Sequence, residues 1–235
     1  MDYVEENPDL AVTYTWHDTR LVFRMTTHRG VLLELVDRPV WGLSCFMDRV
    51  VQSCEADEAI YHKALLAPVH KQLKRGADLK VCILGGGEGA TAREVLKSEK
   101  VASVEMIEWD HDVIEAFSKR FTQWGKGAWD DARLTVTEAD VFKVRKGYQA
   151  YDAVIVDLFE PEDTERWFKL LERAASWAKN TIMVYAGTHA PFVIKRGGIL
   201  GKMRKVLRRA GFTTHISSEY VPSFQGYAVF LMGSA

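Results

Sequence analysis

The chain has 235 residues, 47% of them hydrophobic and 27% charged, with no internal repeat and no low-complexity segment. That length holds one ordinary domain plus a small accessory region and buries a real core. With 31 basic and 32 acidic residues the formal net charge is -1, so no electrostatic footprint points to nucleic acid as the main partner.

In chain order, the opening MDYVEENPDLAV is acidic and has no apolar centre, which reads as neither a signal nor a transit peptide. Short runs rich in β-branched and aromatic residues follow at 12–16, 21–25, 31–36 and 43–47, divided by polar turns such as His28-Arg29-Gly30. Residues 1–55 are therefore expected to form a small N-terminal β domain with an antiparallel sheet. From Asp57 the pattern turns helical, with acids in the first turn of EADEAIYHKALLAPVHKQL.

Past Gly76 the chain alternates. Strands are expected at 80–84, 103–108, 134–137, 153–157, 181–185 and 227–232, and helices at 90–98, 112–121, 164–178 and 200–210. That alternation predicts an α/β fold over 56–235: a doubly wound, largely parallel sheet with helices on both faces and a ligand beyond the carboxyl ends of its strands. The charged, Pro-containing loop at 160–165 is a candidate lid. The basic run KMRKVLRR, 202–209, reads as a solvated helix face.

Cys45, Cys54 and Cys82 lack metal-ligand spacing, and Cys82 falls in an apolar strand pattern, so a buried thiol is expected there. An odd cysteine count without a disulfide framework suits a reducing compartment. No stretch approaches about 18 uninterrupted apolar residues. The expected location is the cytoplasm, with no membrane partner and no metal.

Chemistry concentrates in VCILGGGEGATAREVLKSEKVASVEMIEWD, 81–110. A buried strand enters a glycine-rich turn, Gly85-Gly86-Gly87-Glu88-Gly89, and a second strand ends in Glu108, about twenty residues on. An acid there suits the two hydroxyls of a ribose. Glu88 inside the turn would repel a pyrophosphate and attract a cation such as a sulfonium or an amine. Asp140 and Asp157 fall just past two further strands. Any one of these carboxylates alone reads best as a solvated loop acid or a helix cap. Four on one rim, two of them bracketing the glycine turn, point instead to a nucleoside pocket for a cationic ligand. They also offer a general base for an alkylammonium, which must lose a proton before it can attack carbon.

Taken in order, WGLSCFMDRVVQSCEADEAIYH, VCILGGGEGATAREVLK, VEMIEWDHDVIE, YDAVIVDLFEP and YVPSFQGYAVFLMGS resemble the motif series of the spermidine synthase family, the polyamine aminopropyltransferases. The resemblance covers nearly the whole chain. It implies a Rossmann-like, methyltransferase-type sheet preceded by the small N-terminal sheet, and a homodimer or homotetramer. It implies decarboxylated S-adenosylmethionine as co-substrate and a small-molecule amine as acceptor. Glu108 would hold the ribose hydroxyls, Asp140 the adenine amino group, and Gln52 would line the nucleoside pocket. Gly85, Gly86 and Gly87 would admit the ligand to the backbone, and Glu88 would hold the donor's amino end. Asp157 would take the acceptor's proton, Tyr61 would orient the amine, and His62 would buttress Tyr61.

The chain departs from the family on the acceptor side. An Asp-Ser-Ser-Asp-Pro element reads Asp157-Leu158-Phe159-Glu160-Pro161 here, so Glu160 stands at the second acid and two small polar residues have become bulky and apolar. A tyrosine is replaced by Phe224. One family glutamine falls near Val31, and another has no counterpart in Tyr185-Ala186-Gly187-Thr188. These changes argue against putrescine as acceptor, since apolar walls do not compensate the desolvation of a dication. Two other readings stand beside the aminopropyltransferase: a methyltransferase using intact S-adenosylmethionine on the same fold, and an inactive binding subunit. The product thioether separates the first two.

Overall fold

The structure is a computed structural model and describes residues 1–7, 11–74, 76–189 and 198–235, with the backbone alone at Gln72. Two antiparallel units come first. Strands β1 (Tyr3–Asn7) and β2 (Val12–Trp16) pair from Tyr3 opposite Trp16 to Asn7 opposite Val12. Strands β3 (Arg20–Thr26), β4 (Leu32–Arg38), β5 (Gly42–Met47) and β6 (Val50–Cys54) form a four-stranded meander in sequence order. The β5–β6 turn is made by Asp48 and Arg49, both at positive φ, 49° and 65°, the twist that suits a two-residue hairpin.

The main sheet has seven strands. β7 (Leu79–Gly85), β8 (Val101–Glu108), β9 (Leu134–Glu138), β10 (Tyr151–Asp157) and β11 (Ala178–His189) run parallel; β12 (Thr213–Val221) and β13 (Gly226–Ser234) complete it in the order β12-β13-β11-β10-β7-β8-β9. β13 pairs antiparallel with both β11 and β12. The α/β expectation is found, and the single antiparallel sheet expected before it is present as two, of two and four strands.

The helices are α1 (Glu58–Leu73), α2 (Ala90–Leu96), α3 (His111–Glu115), α4 (Glu165–Trp177) and α5 (Ile199–Arg209); α3 runs on into one π turn over Ala116–Arg120. Alternate residues of β7 serve the two faces of the sheet. Val81 and Ile83 pack with Leu65 and Leu66 of α1 and Val95 of α2. Cys82 and Leu84 pack with Leu170 and Leu171 of α4 and Met203 of α5. Both faces of the central strands are therefore buried, which is why they read as continuous apolar runs. A third cluster joins Leu33, Leu35 and Cys45 of the meander to Val113, Phe117 and Trp124. All three cysteines are free and buried, and burial pushes the Cys82 thiol up to about 12.

Three strands go beyond the sequence expectations. β1 and β6 are five-residue segments in which acids or polar residues break a short apolar run, and β12 is an edge strand whose side chains are nearly all exposed. None carries the apolar alternation that marks a half-buried strand. β11 is also longer than 181–185, because β13 pairs with it out to His189. No helix among the described residues is long and apolar enough to cross a membrane.

The topology fixes where a ligand meets the sheet. From β7 the chain steps outward through β8 to β9, then returns to lay β10 on the other side of β7. The order reverses between β7 and β10, and a crevice at such a switch point opens past the carboxyl ends of the strands. Gly85 and Asp157, the last residues of those two strands, are register partners there.

Candidate active site

The glycine turn exists because two chain segments meet too closely for side chains. Gly85 has φ +85°, and a Cβ on it would stand 2.1 Å from the Asp157 carbonyl oxygen. Gly86 donates its N–H to that same carbonyl at 3.1 Å. Gly87 lies against the acid at the end of β8; a Cβ there would fall 2.8 Å from Glu108 Oε2. The turn closes on Gly89, the left-handed residue that starts α2 beneath the Trp129 ring.

Glu108 turns its Oε1 to the N–H groups of Trp109 (2.8 Å) and Asp110 (3.1 Å). Burial raises its pKa, and the N–H groups of Asp110, Trp109 and Gly87 pull it partly back. Asp140 sits past β9, where its Oδ1 accepts from Phe142 N at 2.9 Å and its Oδ2 lies 3.3 Å from Lys143 Nζ. Gln52, on β6, donates to the Val50 carbonyl at 3.1 Å and shares a small recess of about 10 Å³ with Tyr61, His62 and Phe224.

Asp157 ends β10 between two hydroxyls. Tyr61 of α1 donates to its Oδ1 at 2.7 Å, and Thr91 of α2 donates to its Oδ2 at 2.5 Å. Both partners are neutral, so among the described residues no cation forms an ion pair with this carboxylate. Burial, then the neighbouring charge of Asp157, keeps the Tyr61 phenol far above its ordinary pKa, so it stays a donor. Its ring is fixed edge-on by His62, Tyr185, Phe224 and Phe230, with centroids 5.0 to 5.7 Å away. His62 thus touches Tyr61 through its ring, as a buttress would.

The hydrogen bonds of His62 go elsewhere. Its Nδ1 lies 2.7 Å from the Glu58 carbonyl and 3.0 Å from Glu58 Oε2, while Nε2 lies 3.1 Å from Glu88 Oε1. Burial opposes charge on this ring, but the contacts with Glu58 and Glu88 outweigh it and push the pKa up to about 10. Burial likewise opposes charge on Glu58, yet its bonds to His62 and Arg93 bring it down to about 2. Arg93 grips Glu58 with two parallel bonds, Nη1 to Oε1 at 3.0 Å and Nη2 to Oε2 at 2.8 Å.

Glu160 is drawn aside. It accepts from the Tyr185 hydroxyl and, at 2.8 Å, from Thr188 N, and it crowds the position a Cβ on Gly187 would need. The loop expected as a lid is thereby tied to β11. A cleft of about 430 Å³ lies between α1 and α2; Glu58, Lys63, Arg93 and Lys126 line it, and none of the four strand-end acids does.

Gly85–Glu88, Glu108 and Asp157 thus gather at the β7–β10 crevice, with Tyr61 on Asp157 and His62 on Glu88. Asp140 caps its own turn further along the rim, and Glu160 faces β11. Four participants escaped the sequence reading: Thr91, Glu58, Arg93 and Tyr185. Glu58 and His62 stand four apart on a predicted helix, a spacing that brings side chains together. Thr91 falls in the first turn after the glycines. Arg93 and Tyr185 leave no local signal.

A crevice at a sheet reversal, rimmed by Glu88, Glu108 and Asp157, marks a doubly wound α/β protein that takes its ligand at the strand ends. The model of the spermine/spermidine synthase domain matches residues 55–232, and the chain belongs to that family. It is 31% identical over 218 residues to a polyamine aminopropyltransferase of Sulfurisphaera tokodaii, covering 88% of this chain and 68% of that protein. It is 33% identical over 201 residues to one of Aeropyrum pernix, covering 82% and 62%. The chain thus spans about two thirds of the length of these relatives. A spermidine synthase solved in complex with the transition state analogue AdoDATO superposes with TM-score 0.81 at 24% identity, covering all of this chain and 80% of that one. The spermidine synthase of Thermotoga maritima gives 0.79 at 23% identity, covering 100% and 79%. At those identities the two structures show a shared fold.

Proposed function

We propose that the protein transfers an aminopropyl group from decarboxylated S-adenosylmethionine to an amine, releasing 5'-methylthioadenosine. The observation that carries this reading is Asp157, a strand-end carboxylate held by two neutral hydroxyls beside a glycine turn that carries its own acid. The curated relatives are named for aminopropyl transfer, and the similar fold above was solved with AdoDATO. The residues present fit the donor: Gly85 to Gly87 bare the backbone, Glu108 offers Oε2, and Glu88 offers its second oxygen to an ammonium. Gln52 would line the nucleoside pocket, and Asp140 would meet the adenine amino group by turning from its own cap. Residues 1–55 would act as an accessory β domain beside the donor-binding part, 56–235.

In the proposed reaction Asp157 takes a proton from the acceptor ammonium through a lone pair that Tyr61 and Thr91 leave open. The freed amine attacks the propyl carbon next to sulfur. The C–N bond forms as the C–S bond breaks, and its electrons stay on sulfur as the neutral thioether. Little covalent chemistry is asked of the protein, so alignment and one base suffice. Glu160, turned to Tyr185 and Thr188, would shape the acceptor wall and not receive the proton. With Phe224 against Tyr61, that wall suits an amine less polar than a short diamine.

The test incubates the protein with decarboxylated or intact S-adenosylmethionine and a panel of amines, reading the thioether by mass spectrometry. Methylthioadenosine formed with an amine supports the proposal. S-adenosylhomocysteine would replace it with methyl transfer, and neither product with any amine would leave a binding subunit.

A further inference from the structure

His62 presents both ring nitrogens to acceptors only. A carbonyl and a carboxylate oxygen of Glu58 face Nδ1, and a carboxylate oxygen of Glu88 faces Nε2. A neutral imidazole carries one N–H, so one of these contacts would set lone pair against lone pair. The imidazolium, with two donors, satisfies both sides. The ring is 2% exposed, so water cannot supply the missing donor cheaply.

We infer that Glu58 and Arg93 are positioning residues for the donor's amino end: they hold His62 doubly protonated so that its Nε2–H fixes the Glu88 carboxylate at the glycine turn. The chain of contacts runs Arg93–Glu58–His62–Glu88, from behind the rim into the crevice. Arg93 sets the plane of the Glu58 carboxylate with a two-pronged grip. Its remaining contacts, to Glu94 and to the Trp124 carbonyl at 2.6 Å, anchor it in turn. The charges that weigh most on His62 favour the cation, Glu88 from the glycine turn, Glu58 from its own helix and Asp157 from the end of β10, against the Arg93 guanidinium on the far side of Glu58. Glu88 then has one oxygen engaged by His62 and the other left for the donor's ammonium to meet. Without its partner the side chain has three free torsions, and an ammonium must order them on binding.

The inference rests on the aminopropyl reading for its consequence, and its first measurement does not. ¹⁵N NMR of imidazole-labelled protein without ligand reports the His62 ring, assigned by its loss in His62→Gln. The wild type is expected to show both nitrogens protonated at pH 7.5, and Glu58→Gln a neutral ring. A neutral ring in the wild type overturns the inference. Calorimetry with decarboxylated S-adenosylmethionine follows. Glu58→Gln and Arg93→Lys are expected to weaken donor binding about tenfold, the cost of loosening one charge-assisted hydrogen bond. The donor KM should rise in step while kcat stays within about threefold. Loss of kcat at unchanged donor affinity would sink the positioning role. Adding Glu88→Ala should abolish the effect of Glu58→Gln on donor binding; a persistent tenfold loss would mean general damage to the fold. If the wild type binds no decarboxylated donor while His62 is doubly protonated, it is the aminopropyl reading that fails.

Discussion

The two walls of the crevice are built by different means. On the donor side, position is set by backbone. Gly85 to Gly89 follow directly from β7, Glu108 ends β8, and their distances are fixed by strand pairing and a short helix. On the acceptor side, position is set by side chains from distant parts of the chain. Tyr61 and Asp157 are 96 residues apart, Tyr185 and Glu160 are 25 apart, and Phe224 arrives from the segment before β13. A wall made of backbone tolerates little change in its glycines. A wall made of side chains can be rebuilt one substitution at a time, and here Phe224 stands on it against Tyr61.

The largest test of that contrast is Asp157→Asn. The amide keeps the shape and still accepts from one of the two hydroxyls, while the other must turn to accept from its N–H, and it takes no proton at working pH. Turnover is expected to fall about 10²–10⁴-fold with donor affinity unchanged within about twofold. Turnover within tenfold of wild type would remove Asp157 as the base.

Next in size is Gly85→Ala. The methyl group would meet the Asp157 carbonyl at 2.1 Å and a Leu158 methyl at 2.8 Å, in a backbone conformation that alanine adopts reluctantly. A loss of about 2–4 kcal/mol in denaturant unfolding is expected. Gly127→Ala is the control: its φ is +87°, and nothing lies within 4 Å of the new Cβ. It should cost about 1 kcal/mol, the left-handed penalty alone. Equal losses at the two sites would deny that the turn is shaped by the approach of β10.

On the other wall, Tyr185→Phe releases Glu160 from its hydroxyl partner. Acceptor KM is expected to change about three- to tenfold for charged amines, with donor KM unchanged. A shift in donor KM alone would place Glu160 on the wrong side of the crevice.

This contrast also explains what the sequence revealed. The order of strands and helices in 80–210 was legible because buried parallel strands and amphipathic helices impose their periods locally. Glu108 was legible because strand, helix and strand span a fixed length. β12 was not, since an exposed edge strand such as TTHISSEYV shows no apolar alternation. The acids were legible as a set, but their partners were not. Nothing local to Glu160 says that Tyr185 and Thr188 will claim it. Nothing local to Glu88 says that His62 will stand on it as a cation. The i, i+4 pair of Glu58 and His62 was in plain view within a predicted helix, yet Arg93, which makes that pair stiff, enters from α2.

The last test is of stability against pH, and it asks whether the link between α1 and the glycine turn is ionic. His62 has its pKa raised from an ordinary 6.5 to about 10, so folding takes up a proton between those values. Its contribution is whole below pH 6.5, fades as pH rises and is gone above about 10. Glu58 moves the other way, from an ordinary 4.5 to about 2; its contribution is whole above pH 4.5 and is lost as pH falls toward 2. Between 4.5 and 6.5 the pair is therefore intact. The alkaline loss is the part that tests the ring, because it runs over the pH range in which His62 gives up its proton. Other groups titrate in that window as well, so the quantity to read is a difference. Unfolding free energy of the wild type minus that of His62→Gln should decline steadily from pH 6.5 to 10. A difference that stays level across that range would mean that a neutral ring holds Glu88, and the donor wall would then rest on its backbone alone.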